Sequence, residues 1–121
     1  MLRLLAACLL ALAVVAQAAD RLPAESARIE YLIGVIAALP DAQFIRNGKA
    51  YDNQAAVDHL REKLRLAGGR VRTAEDFIRF CASESSITGQ PYEIRFADGR
   101  VLPSAEFLQE KLAEFDRQNA G

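Results

Sequence analysis

The sequence predicts a small α+β domain of about four helices with two short β-hairpins, preceded by a cleaved signal peptide. Two observations predict the domain. Apolar residues recur at helical spacing in four separate segments. The dipeptides Asn47-Gly48 and Asp98-Gly99 each lie between short apolar stretches, which is the pattern of a tight hairpin. Helices combined with antiparallel hairpins favour an α+β fold over a parallel α/β sheet.

Residues 1–19 predict a secretory signal peptide. Arg3 supplies a positive charge, an unbroken apolar run covers residues 4–15, and Ala-Gln-Ala at 16–18 places small residues where a signal peptidase reads them. The apolar run is too short to cross a bilayer. We expect cleavage after Ala18 or Ala19 and export, most simply to a bacterial periplasm. Residues 20–121 then form a single exported domain, since no repeat or linker divides them.

The first helix is predicted to open at Leu22-Pro23, because proline is favoured at the first helical position. Pro40-Asp41 ends it. The apolar face of this helix comprises Ile29, Leu32, Ile33, Ile36 and Leu39. The first hairpin follows over residues 44–51.

The second helix is predicted to be capped by Asp52 or Asn53 and stopped by Gly68-Gly69. Its apolar stripe comprises Ala56, Val57, Leu60, Leu64 and Ala67. Thr73 caps a third helix with an acidic first turn, close to a capping box. The inward face of that helix comprises Ala74, Phe77, Ile78 and Cys81.

The polar residues 83–90 are predicted to form a loop, followed by a hairpin with strands over 91–96 and 100–102. Pro103-Ser104 starts the last helix. The inward residues of that helix are Ala105, Leu108, Leu112 and Phe115. The sequence leaves open whether the two hairpins share one sheet, although an isolated hairpin is only marginally stable.

Composition narrows the classes of protein. The chain carries 15 basic and 16 acidic residues, so nothing in its overall charge attracts nucleic acid. We expect no nucleic-acid partner and no membrane span in the mature chain.

The cysteines predict no disulfide and no lipid anchor. Too few residues precede Cys8 for it to belong to a lipoprotein signal, so cleavage of the signal peptide removes it and leaves Cys81 without a disulfide partner. One histidine, one thiol and scattered carboxylates form no metal-ligand cluster, so we expect neither metal nor cofactor.

Several segments resemble the YfeK-like family of small exported bacterial proteins, a domain of unknown function. The resemblance covers about residues 29–112. The matching pieces are Phe-Ile-Arg-Asn-Gly at 44–48, His-Leu at 59–60 with Lys-Leu at 63–64, Thr-Ala-Glu-Asp-Phe-Ile at 73–78, and Ala-Ser-Glu-Ser-Ser-Ile-Thr-Gly-Gln-Pro-Tyr at 82–92. It implies a signal peptide and one exported domain, and it implies no activity.

Five residues combine charge, aromatic surface and hydroxyl groups in a way that core packing does not explain: Arg46, His59, Ser85, Ser86 and Tyr92. We expect them to surround any binding site. The predicted function is a non-catalytic binding or interaction module of the bacterial envelope. Its partner would be an unidentified envelope protein or a small polar ligand. The alternative structural interpretation is that His59 is a boundary histidine and the loop hydroxyls bond backbone amides.

Two further functions stay open. A small hydrolase or transferase would use Ser86 or Cys81 as nucleophile with His59 as base, since an imidazole titrates near neutrality. Alternatively, a basic face would bind an anionic envelope glycan or lipid. The competing structural interpretation is that these basic residues only form a solvated helix face. That face comprises Arg61, Arg65, Arg70 and Arg72.

Overall fold

Four helices and four short strands follow one another along residues 21–120, the part of the chain that the computed structural model describes. They are α1 (Pro23–Ala38), β1 (Gln43–Arg46), β2 (Lys49–Tyr51), α2 (Asn53–Ala67), α3 (Ala74–Cys81), β3 (Glu93–Arg95), β4 (Val101–Pro103) and α4 (Ser104–Gln118). A 3₁₀ turn, Gly68–Arg70, follows α2. The predicted signal peptide, its cleavage site and Cys8 lie outside the described residues. The α+β class is confirmed.

The two hairpins form one antiparallel sheet in the order β2-β1-β3-β4. β1 pairs with β3, and Phe44 faces Ile94 in that register. Both side chains are buried in the core. The pairing settles the question that the sequence left open. It also brings residues next to β1 close to residues next to β3, almost fifty positions later.

Local signals in the sequence set the boundaries of several elements. Asn47 and Gly48 form the first hairpin turn with positive φ angles of 51° and 76°. The carboxylate of Asp52 accepts a hydrogen bond from the amide of Ala55 at 2.9 Å, so Asp52 is the cap of α2. The Thr73 hydroxyl accepts from the amide of Asp76 at 3.0 Å, and a full capping box is present. These three predictions are confirmed.

Other boundaries differ from the predictions. β3 covers residues 93–95 rather than 91–96, and β4 runs from 101 to 103 rather than 100 to 102. Residue 91 pairs only in an isolated bridge with Glu84, which closes the preceding loop. Pro103 occupies the cap position of α4 but makes no side-chain cap bond, and the helix begins at Ser104.

The helices and the sheet share one hydrophobic core. The predicted apolar positions of α1, α2 and α3 are buried or packed against that core, and Phe77 of α3 has no exposed surface. In α4 the prediction was partly wrong, because Phe107 is buried while Phe115 is only half-buried against Tyr31. At the surface, Arg28 bridges carboxylates of its own helix and of two others, with N–O distances of 2.7–2.8 Å. These bonds connect α1 with α3 and α4.

Candidate functional site

A cleft of about 560 Å³ opens between the first hairpin, α2 and the loop of residues 83–90. All five residues that the sequence singled out for binding line it: Arg46, His59, Ser85, Ser86 and Tyr92. Arg46 ends β1, His59 lies in α2, and Tyr92 immediately precedes β3. The pairing of β1 with β3 is therefore what brings Arg46 and Tyr92 to the same place.

His59 lies at the centre of a hydrogen-bonded cluster. The Arg46 guanidinium donates to His59 Nδ1. Since arginine has no acceptor, the ring proton must sit on Nε2, which donates to the Tyr92 hydroxyl at 3.1 Å. Lys63 Nζ donates to the same hydroxyl at 3.2 Å. Tyr92 thus accepts two bonds, and its own O–H has no acceptor among the bonds of the described residues.

The pKa of His59 is lowered to about 4. Partial burial is the main cause, because it disfavours the charged ring, and the positive charges of Arg46 and Lys63 add to it. The ring is therefore neutral at pH 7. A neutral ring fits its role as acceptor from Arg46, since a protonated imidazole would have no lone pair to offer.

This depressed pKa predicts a loss of stability as the pH falls from about 6.5 to about 4. In that window the unfolded chain binds a proton at His59 that the folded chain does not, so acid favours unfolding. We expect the urea midpoint to fall as the pH is lowered through this range. His59→Gln should flatten that part of the profile.

The measurement is best made above about pH 5, because the ion-paired carboxylates have pKa values held below their ordinary 4.5 and lose their stabilising charge only at lower pH. A His59→Gln profile parallel to that of the wild type between pH 6.5 and 5 would contradict the prediction.

Four cations line the cleft: Arg46, Lys49, Lys63 and Arg70. No carboxylate lies within 4 Å of any of them within residues 21–120, and no acidic residue lines the cleft. Elsewhere on the described surface, five basic side chains have carboxylate partners. The cleft therefore concentrates positive charge that the fold itself does not neutralise.

Aromatic rings hold these cations in place. The Arg46 guanidinium lies 4.5 Å from the centroid of Tyr51, and Lys49 Nζ lies 5.5 Å from it. Lys63 Nζ lies 5.1 Å from the ring of Tyr92. A hydrogen bond from Arg46, together with the nearby charges, lowers the pKa of the Tyr51 hydroxyl. Cation–π contacts fix the side chains and leave their N–H groups available.

The hydroxyl of Ser85 organises the loop. It is buried, and it accepts hydrogen bonds from the backbone amides of Ile87 and Thr88 at 3.2 Å. The Asn47 amide group also donates to it at 3.3 Å, and Thr88 donates to Asn47 Oδ1 at 2.6 Å. The loop is thereby tied to the hairpin turn. Ser86, by contrast, is exposed at the cleft.

The residues of the predicted basic face are differently placed. Arg61 pairs with Glu30 at 3.0 Å, and Arg65 pairs with Glu62 at 2.6 Å. Arg70 lines the cleft, and Arg72 is exposed after the 3₁₀ turn. Of the four, only Arg70 belongs to the unpaired charge of the cleft.

The predicted nucleophiles make no bond to His59 within the described residues. Cys81 is fully buried, and burial raises the pKa of its thiol, which disfavours the reactive thiolate. Both ring nitrogens of His59 are bonded to Arg46 and Tyr92 instead. In this arrangement His59 is hydrogen-bonded to Arg46 and Tyr92 and not to Ser86 or Cys81.

Sequence reasoning missed several members of the site. Lys63 follows His59 by four residues, which places both on one face of α2. Lys49 and Tyr51 are two apart on β2 and share a face of the strand. Periodicity thus contained the signal for these three. No local signal identified Leu66, Phe80 and Ile87 as cleft residues.

Within residues 21–120 no three or more His, Cys, Asp or Glu side chains are grouped so as to hold a metal ion. No helix in the same range has the length and apolar content needed to cross a membrane.

The fold and the cleft together define a small α+β domain with one cleft lined by four cations. The model of a family of unknown function, DUF5329, matches residues 23–116, and the chain belongs to this family. Over 68 residues the chain is 48% identical to the uncharacterized protein YfeK of Salmonella typhimurium strain LT2. That match covers 56% of this chain and 57% of the relative, so the chain spans little more than half of the relative's length. The YfeK-like resemblance is confirmed. No solved structure matches the chain.

Proposed function

We propose that this chain is an exported periplasmic domain that binds, without catalysis, the anionic group of a small ligand or envelope partner in the cleft. The observation that carries the proposal is the set of four cations that line one cleft without a carboxylate partner in the described residues. Export is inferred from the predicted signal peptide in residues 1–19.

Hydrogen-bond donors in the cleft favour an oxyanion. Arg46 donates to His59 and to the Tyr51 hydroxyl, and its other N–H groups remain available in a planar fork that suits carboxylate or phosphate oxygens. The Tyr92 hydroxyl accepts from His59 and Lys63, so its proton is available to a further acceptor. Lys63 also donates to the carbonyl of Glu84 at 3.2 Å and retains one proton. Arg46 of β1, Lys63 of α2 and Tyr92 before β3 therefore all offer donors in the same cleft.

The neutral His59 ring acts as a positioning group in this proposal. It accepts from Arg46 and donates to Tyr92, so it fixes both side chains without adding a charge. Because the pKa of His59 is about 4, the ring adds no charge to the cleft at pH 7. Pre-arranged donors lower the ordering cost of binding.

The test is a titration of residues 20–121 with inorganic phosphate at low ionic strength, in which amide chemical shifts are measured at each phosphate concentration. We expect saturable shifts confined to the segments around Arg46, His59, Tyr92 and the loop of residues 83–90. Lys63→Gln should weaken binding about tenfold, because it removes a charge-assisted hydrogen bond.

Arg117→Gln is the matched control. It removes the same charge from α4, which contributes no residue to the cleft, and should leave the affinity unchanged. Chemical shifts that never saturate, or an equal effect of the two variants, would show that the interaction with phosphate depends only on the net charge of the protein. Either result would refute the proposal.

A further inference from the structure

Three exposed apolar side chains line the same cleft as the cations. Ile87 is 92% exposed, Leu66 66% and Phe80 36%, and these are three of the five large hydrophobic residues that the described surface exposes. They come from the loop, from the last turn of α2 and from α3. A cluster of exposed apolar groups at one site indicates contact with an apolar partner.

The most exposed of them is held in a fixed place. The amide of Ile87 donates to the buried Ser85 hydroxyl at 3.2 Å, and Ser85 also bonds the backbone of Gly89 and Gln90 at 2.9 Å. Asn47 ties this loop to the hairpin turn. The loop is already hydrogen-bonded in the conformation that exposes Ile87. Binding through Ile87 would therefore cost little additional conformational entropy.

Positive charge surrounds the apolar group. The Arg70 guanidinium lies 5.9 Å from the ring centroid of Phe80, and the Arg79 guanidinium, which lies outside the cleft, is 5.1 Å from the same centroid. Lys49, Lys63 and Arg46 complete the charged lining. Apolar side chains beside unpaired cations are complementary to a partner surface in which a layer of negative charge covers an apolar interior.

We propose that this face docks on a bilayer of anionic phospholipid, with a headgroup phosphate in the cleft and Ile87, Leu66 and Phe80 in the acyl interface. The inference rests on the proposed function, because the same donors bind the phosphate. A soluble glycan or a free anion would satisfy the cations but would leave the three apolar side chains in water. An interfacial apolar group combined with basic residues is the usual composition of a surface that binds anionic membranes.

The experiment measures flotation of residues 20–121 with phosphatidylcholine vesicles, with and without phosphatidylglycerol. The segment 1–19 is left out because its apolar run would itself enter the bilayer. We expect binding only to vesicles that contain phosphatidylglycerol. Ile87→Ser should weaken it about tenfold by removing a buried apolar side chain, and Lys49→Gln about fivefold.

Val101→Ser is the matched control. Val101 is 41% exposed but lies on β4, at the opposite edge of the sheet from β2, and its replacement should leave flotation unchanged. Soluble glycerol phosphate serves as a second probe. Ile87→Ser should weaken vesicle binding far more than it weakens glycerol phosphate binding, because the Ile87 side chain offers no hydrogen-bond donor to an anion.

The outcomes separate the two proposals. Glycerol phosphate binding in the cleft without vesicle binding would overturn membrane docking and leave anion binding in place. Vesicle binding that is insensitive to Ile87→Ser, or equally sensitive to Val101→Ser, would overturn the docking face. Absence of binding to either probe would overturn both proposals.

Discussion

Replacing Arg46 with methionine is expected to weaken phosphate binding by about 10- to 100-fold and to raise the pKa of His59. The loss corresponds to removal of a hydrogen bond between charged groups, about 1.5–3 kcal/mol. Methionine preserves much of the packing of the arginine stem on Tyr51. The pKa rises because a nearby positive charge is removed. It stays below the ordinary 6.5, because burial is the larger cause of the depression.

Both quantities follow from proton NMR of the single histidine and from a phosphate titration. Arg95→Met is the control, since Arg95 is exposed on β3 and bonds Gln43 at 3.0 Å outside the cleft. Unchanged affinity in Arg46→Met would remove Arg46 from the site. A reduced affinity with an unchanged His59 pKa would separate anion binding from the Arg46–His59 contact.

Phe77→Ala is expected to destabilise the domain by about 3–5 kcal/mol. Phe77 has no exposed surface and belongs to the hydrophobic core, so its truncation leaves a cavity there. That cost is a large part of the total stability of an ordinary domain, about 5–15 kcal/mol. The urea midpoint measures it. Phe80→Ala, in the same helix but partly exposed, should cost less than about 1 kcal/mol.

Equal losses in the two phenylalanine variants would mean that α3 is oriented differently, with Phe77 at the surface. Phe80→Ala also bears on the proposed docking face, because it should reduce vesicle binding without large loss of stability.

Local chemistry explains what the sequence could predict. The Asn47-Gly48 turn and the Thr73–Asp76 capping box depend on residues at most three positions apart, so their geometry is readable from the order of residues. The same holds for the apolar faces of the first three helices, whereas the predicted face of α4 missed the buried Phe107. Helix and hairpin assignments were therefore correct, while boundaries next to Pro103 shifted by a residue.

Long-range contacts explain what the sequence could not. No pattern in the chain indicates that Phe44 pairs with Ile94. The Asn53 side chain donates to the carbonyls of Ile36 and Leu39 at 2.8 Å, so the first residue of α2 also binds the end of α1. The sequence offered Asn53 only as a capping alternative to Asp52.

The candidate site shows the same division. Residue chemistry indicated Arg46, His59 and Tyr92, yet only the tertiary structure shows that they bond in a chain. Exposure is also a tertiary property. Ile87 in a polar loop and Leu66 near a helix end read as ordinary apolar residues until the fold leaves both uncovered at one cleft.

Because β1 pairs with β3, the geometry of the cleft depends on an intact sheet. A chain that stops before β3 loses the strand pairing that holds Tyr92 beside His59. A proteolytic cut that frees β3 from β1 separates Tyr92 from Arg46 in the same way. Occupancy of the cleft and integrity of the sheet are thermodynamically linked, because a ligand that binds only the paired state stabilises that pairing. A ligand of the cleft would therefore bind a copy with a damaged sheet more weakly than an intact copy.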